Sequence, residues 1–306
     1  MKILPNTVIN FHAVDASKWM EKVFLLLKKA YHIIAINDLE KYIYEGKPLQ
    51  NSCHITFDDG DQSFYNVAYP LLKKHGIPVS IYVSPQAATE RRNFWFQEIR
   101  GYDEQKLLEV IGKTYPDSLG ETKQANLRVV LKSLPVYALR ETIHKYRDET
   151  GTPPKPCMNM TPEQLLEVHR EGLVAIGVHT QNHPILRNET DESAAHEIKG
   201  SIRQLGEMLS EDIRYFAYPN GVPGLDFDIR EINLLKAEGI KLAFSTENKA
   251  FTRETNPLSM PRKGISKGSR AFIMTKLASG DKWDTIRRWT KGKDESQSRI
   301  EKTKAF

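Results

Sequence analysis

The chain has 306 residues, a composition that is 40% hydrophobic and 27% charged, and a formal net charge of +5. These proportions are ordinary for a globular protein, and the length allows one large domain or one domain with an insertion. The mild positive charge, without a basic cluster interleaved with aromatic residues, argues against nucleic acid as a partner. The two cysteines, Cys53 and Cys157, are too few for a disulfide framework.

The first residues, from Met1 to Phe11, lead directly into a strand-like segment and lack the apolar stretch of a signal peptide. No uninterrupted run approaches the roughly 18 apolar residues of a membrane span. We therefore expect a cytoplasmic protein with reduced cysteines, although a chain whose leader had been removed would look the same.

Strand-like and helix-like segments alternate in the first 84 residues. The predicted strands cover 7–11, 32–36, 53–57 and 79–83, and the predicted helices cover 16–29, 38–44 and 62–75. This regular alternation favours parallel strands joined by crossover helices, as in an α/β sheet or barrel.

The alternation stops after residue 84. Residues 85–160 contain no convincing strand, but they carry apolar residues at helical spacing and end in a proline-rich segment. We interpret them as a helical insertion, which either caps the barrel or forms a lid that contacts the substrate. In the second case Phe94 and Trp95 would offer flat apolar faces to a sugar.

The alternation resumes at residue 161. Thr161, Pro162 and Gln164 match an N-cap, a first-turn proline and a reciprocal capping residue. The predicted elements that follow are helix 161–171, strand 174–178, helix 192–209, strand 214–217, helix 228–238 and strand 241–245. About seven strands result, which suits a closed or nearly closed barrel formed by residues 1–84 and 161–265.

Residues 266–306 are a basic tail in which apolar residues are scattered among lysines and arginines. Two short amphipathic helices are predicted, at 269–276 and 283–289, and the residues from Asp294 onward are expected to be disordered. The helices either pack on the barrel with a solvated basic face or touch an anionic membrane surface.

Two predicted buried strands end in polar residues suited to bind a metal. The first ends at adjacent carboxylates, Asp58 and Asp59, which cost several kcal/mol when partly dehydrated unless a cation or hydrogen-bond donors offset them. The second ends at His179 and His183, which are four residues apart and project to the same side of one turn. Two histidines and one carboxylate suit Zn²⁺ and other divalent transition metals and leave a position open for water.

Residues 56–60 and 179–183 resemble the first two signature motifs of the polysaccharide deacetylases, carbohydrate esterase family 4. Residues 216–221 resemble the third motif more loosely, and the motifs occur in the family's order across most of residues 1–265. The resemblance implies a distorted (β/α)7 barrel. It also implies a metal-dependent hydrolase that removes an N-acetyl or other N-acyl group from an amino sugar.

The resemblance implies roles for individual residues. The metal ligands would be Asp59, His179 and His183. The ion would be Zn²⁺, with Co²⁺, Ni²⁺ or Mn²⁺ as alternatives. Asp58 would be the general base that takes a proton from the water attacking the amide carbonyl. Aligning Pro219 with the third motif assigns the backbone N–H that holds the oxyanion to Asn220.

Two positions depart from the family's pattern. Ala217 stands where the family has an arginine that orients the base, and we predict that Arg262 supplies the guanidinium, unless it is an ordinary surface arginine. No histidine follows His196, whereas the family has a late Leu-x-His motif whose histidine protonates the leaving amine. His12 is the predicted replacement, because it resembles the Tyr-His pair of the permuted branch that includes poly-N-acetylglucosamine deacetylases. A structural role for His12 is the alternative.

The predicted partner is an N-acetylated sugar or glycan, and a cytoplasmic location would favour a nucleotide-linked or lipid-linked intermediate. Two other functions are consistent with the sequence. One is a catalytically silent relative that binds sugar or metal, and the other is a metal-dependent amidase acting on a small non-sugar amide. Bound metal and acetate release from glycans would distinguish the three.

Overall fold

The computed structural model describes residues 4–14, 16–118, 126–279 and 299. The strands in these residues are β1 (Thr7–Phe11), β2 (His32–Ile33), β3 (Ser52–Phe57), β4 (Val79–Val83), β5 (Val174–Val178), β6 (Tyr215–Ala217), β7 (Leu242–Phe244) and β8 (Lys263–Gly264). The α-helices are α1 (Ser17–Ala30), α2 (Ile36–Tyr44), α3 (Tyr69–His75), α4 (Pro85–Thr89), α5 (Trp95–Glu98), α6 (Glu104–Thr114), α7 (Leu127–Leu131), α8 (Val136–Thr150), α9 (Pro162–Arg170), α10 (Asp191–Leu209), α11 (Ile229–Ala237) and α12 (Arg270–Ala278). A π-helical segment, Phe64–Ala68, leads into α3.

The strands pair in parallel and form one curled sheet. Its order is β7-β6-β5-β4-β3-β1-β8, and β2 pairs with the start of β3. Residues 260–264 close the barrel, because this segment pairs with β7 at its start and with β1 at its end. Met260 pairs with Phe244 of β7, and Lys263 and Gly264 pair with Ile9 and Asn10 of β1. The strands along this path form the predicted distorted (β/α)7 barrel, so the fold prediction is confirmed.

Alternate residues of each strand face opposite sides of the barrel wall, as the pleat of a strand requires. Ile9 and Ile55 face outward and pack with the surrounding helices in the largest hydrophobic cluster. Asn10 and Thr56 face inward, where the Thr56 hydroxyl donates to Asn10 Oδ1 at 3.2 Å. Asp58, two residues beyond Thr56, continues the inward series. The strand period therefore carries this carboxylate into the barrel interior.

Capping residues set the helix boundaries near the barrel. Thr161 Oγ1 accepts from the Gln164 backbone at 3.2 Å, and Gln164 Oε1 accepts from the Thr161 backbone at 2.9 Å, which is the predicted capping pair of α9. The predicted strand 32–36 was too long. The Asp38 carboxylate accepts from the Ala35 N–H at 3.1 Å, and this cap starts α2 at Ile36.

Gly177 in β5 leaves no space for a side chain. A Cβ at this position would lie 2.6 Å from the Tyr215 carbonyl oxygen and 2.7 Å from the Tyr82 ring. We expect Gly177→Ala to lower stability by about 1–3 kcal/mol, the usual cost of overpacking a core. Gly264→Ala is the matched control, because no atom of the described residues beyond its chain neighbours lies within 4 Å of a Cβ there. Urea unfolding of the two variants measures the difference, and equal midpoints would refute the expectation.

Residues 85–160 add helices α4 to α8 to one end of the barrel. Among the described residues of this segment there is no strand, and a single bridge joins Asn159 to Asp61. The helices enclose a hydrophobic cluster of their own, which includes Trp95, Leu107 and Leu139. The segment is thus a helical layer with a separate small core.

The tail packs on the barrel where it is described. Ile273 and Leu277 of α12 are 2% and 0% exposed and belong to the largest cluster. The predicted helix 283–289 lies outside the described residues, as do the residues from Asp294 onward apart from Arg299. No described helix is both long enough and apolar enough to cross a membrane.

Candidate metal centre and active site

Asp58 directly follows the carboxyl end of β3, where it is buried and binds the guanidinium of Arg262. Arg262 Nη1 donates to Oδ1 at 2.7 Å and Nη2 donates to Oδ2 at 2.8 Å, while Asn10 Nδ2 donates to Oδ2 at 2.9 Å. Arg262 is fully buried, and its Cζ lies 5.7 Å from the ring centroids of both Tyr82 and Phe244. The bidentate ion pair with Arg262, whose guanidinium packs near both rings, fixes the orientation of the Asp58 carboxylate.

The environment of Asp58 keeps its carboxylate ionised. Burial alone would raise the pKa of Asp58, but the charge of Arg262 and the hydrogen bonds that it donates outweigh burial and hold the pKa well below its usual value. A carboxylate with so low a pKa is a weak base. It can deprotonate water only where another group makes that water more acidic.

The residues predicted as metal ligands lie together beside Asp58. Nε2 of His179 and Nε2 of His183 are each 3.5 Å from Asp59 Oδ1. One ligand atom from each of the three residues falls within 4.8 Å of the others. The side chains of all three residues are buried. Two loops, after β3 and after β5, therefore bring a two-histidine, one-carboxylate set to one point.

The unpaired polar atoms of this cluster fit a metal ion. Among the described residues, Asp59 Oδ1 is buried without a hydrogen-bond partner. The His179 Nδ1 hydrogen bonds to the Ala217 carbonyl oxygen at 2.7 Å, which directs Nε2 and its lone pair toward Asp59. Burial and the neighbouring His179 lower the pKa of His183, so its imidazole is neutral as metal binding requires.

The backbone turns sharply at each part of this site. The φ angles are +73° at Asp59, +61° at Thr180, +55° at His183 and +56° at Asn220. Positive φ is uncommon for residues other than glycine and costs of order 1 kcal/mol or more at each position. The strained turns follow strands β3, β5 and β6, and they aim side chains from three loops at one place.

Glu197 of α10 holds the loop that carries both histidines, a role that sequence reasoning missed. Its Oε2 accepts the backbone N–H groups of Gln181 at 3.0 Å and Asn182 at 2.8 Å, and its Oε1 accepts the Asn182 side-chain amide. Burial raises the pKa of Glu197, and the hydrogen bonds from Asn182 act against that rise. The sequence signal for this role was a glutamate at a position of α10 that falls on the same face as the apolar residues Ala194 and Ile198.

His12 and Asn220, the other predicted catalytic residues, line the same cleft. His12 Nε2 lies 4.0 Å from Asp58 Oδ2, and its side chain is 57% exposed. Within the described residues, no hydrogen bond is formed by the Asn220 backbone N–H. The structure thus brings a solvent-accessible imidazole and a free N–H to the mouth of the site.

The helical insertion forms one wall of the cleft, whose volume is about 500 Å³. Trp95 and Phe96 line it, and Trp95 Nε1 donates to the His183 carbonyl oxygen at 3.2 Å. The expectation that Phe94 faces a sugar was wrong. Phe94 is only 3% exposed, and its ring centroid lies 5.4 Å from that of His183. Its ring therefore packs against the histidine and is not open to a substrate.

Comparison with known proteins agrees with this geometry. A sequence model of the family described as polysaccharide deacetylase matches residues 45–243. The chain therefore belongs to the polysaccharide deacetylase family, as its motifs predicted, and its activity is that of a carbohydrate N-deacetylase.

Individual relatives and solved structures also resemble this chain, at sequence identities of 17–22%. The chain is 22% identical over 266 residues to proteins named poly-beta-1,6-N-acetyl-D-glucosamine N-deacetylase from Staphylococcus aureus and Staphylococcus epidermidis. The match covers 84% of this chain, with 69% and 70% of those relatives. The fold is similar to a Streptococcus pyogenes deacetylase, PplD, in complex with acetate (17% identity, TM-score 0.59, 90% of this chain and 99% of the other). It is also similar to IcaB from Ammonifex degensii (18% identity, TM-score 0.59, 90% and 97%).

Proposed function

We propose that this protein is a Zn²⁺-dependent deacetylase of glycans built from N-acetylglucosamine. The observation that carries the proposal is the buried set of Asp59, His179 and His183 beside the ionised Asp58. Neutral imidazoles and one carboxylate are ligands that suit Zn²⁺ and leave a fourth position open. The names of the staphylococcal relatives support the sugar. The volume of the cleft, about 500 Å³, favours a glycan over a single small amide.

The residues of the site can divide the chemistry of amide hydrolysis among them. A bound metal ion would polarise the acyl carbonyl and lower the pKa of the attacking water. Asp58, held in place by Arg262, takes the proton from this water. The Asn220 N–H stabilises the negative charge that develops on the carbonyl oxygen. His12 gives a proton to the leaving amine, from the solvent side of the cleft.

Acetate release from N-acetylglucosamine oligomers tests the proposed function. We expect release by the zinc-loaded protein, loss of release after chelation, and recovery when Zn²⁺ is restored. A small non-sugar amide serves as the control substrate. Hydrolysis of that amide with no release from any glycan would contradict the proposed substrate. A protein that binds no metal would contradict the proposed mechanism.

Replacing His12 tests its assignment as the acid. We expect His12→Ala to reduce kcat by about 10²- to 10⁴-fold, the usual contribution of a positioned acid or base. Metal content should stay the same, because His12 is not among the three residues that converge on one point. Phenyl esters of acetate, whose leaving group needs no proton, should be hydrolysed almost as fast as by the unchanged enzyme. Unchanged turnover of the amide would remove the assignment.

The cellular location and a membrane contact stay predictions from the sequence. We propose a cytoplasmic enzyme whose basic tail touches an anionic membrane at most peripherally. The packing of Ile273 and Leu277 into the barrel favours a structural role for α12.

A further inference from the structure

A second cavity lies behind the loop that carries His183. It has a volume of about 270 Å³, is partly open to solvent, and is lined by the segment after α4, by α8, by the segment after α8 and by residues of that loop. Trp95 lines both this cavity and the deacetylase cleft, so the two are close neighbours. The charged residues that line the cavity are Arg91, Arg92, Arg140, Arg147, Lys155 and Glu98. Among the described residues, five cations and one carboxylate thus line the space.

Two of these arginines converge on one neutral acceptor. Arg92 and Arg140 both donate to the side-chain oxygen of Asn182, which is a neutral acceptor. Arg92 forms an ion pair with Glu90 at 3.0 Å, but Arg140 forms none with any carboxylate of the described residues. Burial and the charge of Arg140 lower the pKa of Arg92, and the carboxylates of Glu90 and Glu197 act against this without reversing it. Glu98 cannot neutralise the pair, because it is engaged by Arg147.

We propose that Arg92 and Arg140 bind a tetrahedral oxyanion, such as a phosphate group, in this cavity. Guanidinium groups present parallel N–H donors that match the oxygens of a phosphate, and two of them on one cavity wall make an anion site. The cavity is several times the roughly 30 Å³ taken by one water molecule, so it has room for the ion and for part of a group that carries it. The ion is either free phosphate or a phosphate carried on a saccharide.

The site differs from the metal centre but contacts the same loop. Asn182, the acceptor of both arginines, directly precedes His183 and is anchored by Glu197 through its backbone and its side chain. An oxyanion would accept hydrogen bonds from both guanidinium groups in place of Asn182 Oδ1. Asn182 would keep its hydrogen bonds to Glu197. The binding step requires neither the metal ion nor deacetylation.

Calorimetric titration of the zinc-loaded protein with inorganic phosphate tests the proposal. We expect binding by the unchanged protein and by Arg203→Gln, an exposed arginine of α10 outside the cavity. Arg140→Gln should bind at least tenfold more weakly. Arg140 forms no ion pair with a carboxylate of the described residues, so we expect this variant to fold, and circular dichroism checks that. Arg140→Lys, which keeps the charge but loses the fork, should bind with intermediate affinity.

Equal binding by all the variants would overturn the proposal, because the phosphate would then lie on the metal or elsewhere. No binding by the unchanged protein would overturn it too. Titration with glucose 1-phosphate identifies the source. Tighter binding of glucose 1-phosphate than of phosphate, lost in Arg140→Gln, assigns the site to a saccharide phosphate, and weaker binding assigns it to the free ion. Acetate release is measured separately, so failure of the proposed function would be distinguishable from failure here.

Discussion

Asp59→Asn should abolish both metal binding and deacetylation while the protein stays folded. Asparagine keeps the shape of the side chain but removes the anionic ligand that both imidazoles face at 3.5 Å. We expect turnover to fall by on the order of 10³-fold or more, because a metal ion contributes several kcal/mol to such a reaction. Metal analysis by mass spectrometry should show less than one tenth of the zinc bound by the unchanged protein.

The melting temperature of Asp59→Asn shows whether its loss of metal and activity is caused by unfolding. Burial raises the pKa of Asp59 in the metal-free protein, so the charged carboxylate costs stability there and the neutral amide should not lower the melting temperature. Asp61→Asn is the matched control, since the nearby Asp61 carboxylate accepts from Ser63 and is not among the three converging residues. It should retain zinc. Normal zinc in Asp59→Asn would refute the assignment of Asp59.

Arg262→Met should destabilise the barrel and disable the base together. Removing one partner of a buried ion pair leaves the other charge unpaired and typically costs about 3–5 kcal/mol. Arg262 is fully buried and donates twice to Asp58, so it fits that case. We expect urea unfolding at much lower denaturant and a turnover reduced by at least tenfold. Full turnover by Arg262→Met would remove the role of Arg262 in orienting the base.

Two further variants control this experiment. Arg214→Met breaks an ion pair with Glu40 on the surface, where Arg214 is 48% exposed, and should cost about 1 kcal/mol or less. Asp58→Asn combined with Arg262→Met removes the unpaired charge, so it should recover stability without recovering turnover. A double variant as unstable as Arg262→Met alone would show that lost packing causes the effect.

The ion pair also predicts how the deficit depends on pH. The pKa of Asp58 is depressed in the folded protein, so the pair stabilises the fold at neutral pH and loses this effect as the pH falls below the unfolded value of about 3.9. The stability gap between the unchanged protein and Arg262→Met should therefore be largest above about pH 5 and shrink in more acidic solution.

The sequence predicted the barrel because its signals are local. Strand and helix periods, the capping pair at Thr161 and Gln164, and the polar ends of β3 and β5 each lie within a few residues. The short strand β8 was missed because two residues carry no period. Its place between β7 and β1 depends on contacts between distant parts of the chain.

The site was predicted less completely than the fold, for the same reason. Asp58, Asp59 and both histidines stand in recognisable motifs, whereas their supports do not. Asn10 is one of two polar residues in a short buried strand, and Glu197 is one acid in a helix with many charges. Their roles follow from contacts 48 and 15–16 residues away in sequence, which no short pattern encodes.

Crystals grown with Zn²⁺ and examined by anomalous diffraction at the zinc edge test the central claim most directly. We predict one strong peak at about 2.0–2.2 Å from a carboxylate oxygen of Asp59 and from Nε2 of both His179 and His183. The peak should be absent in crystals of Asp59→Asn. A protein that releases acetate from glycans but shows no peak between these three side chains would contradict the account.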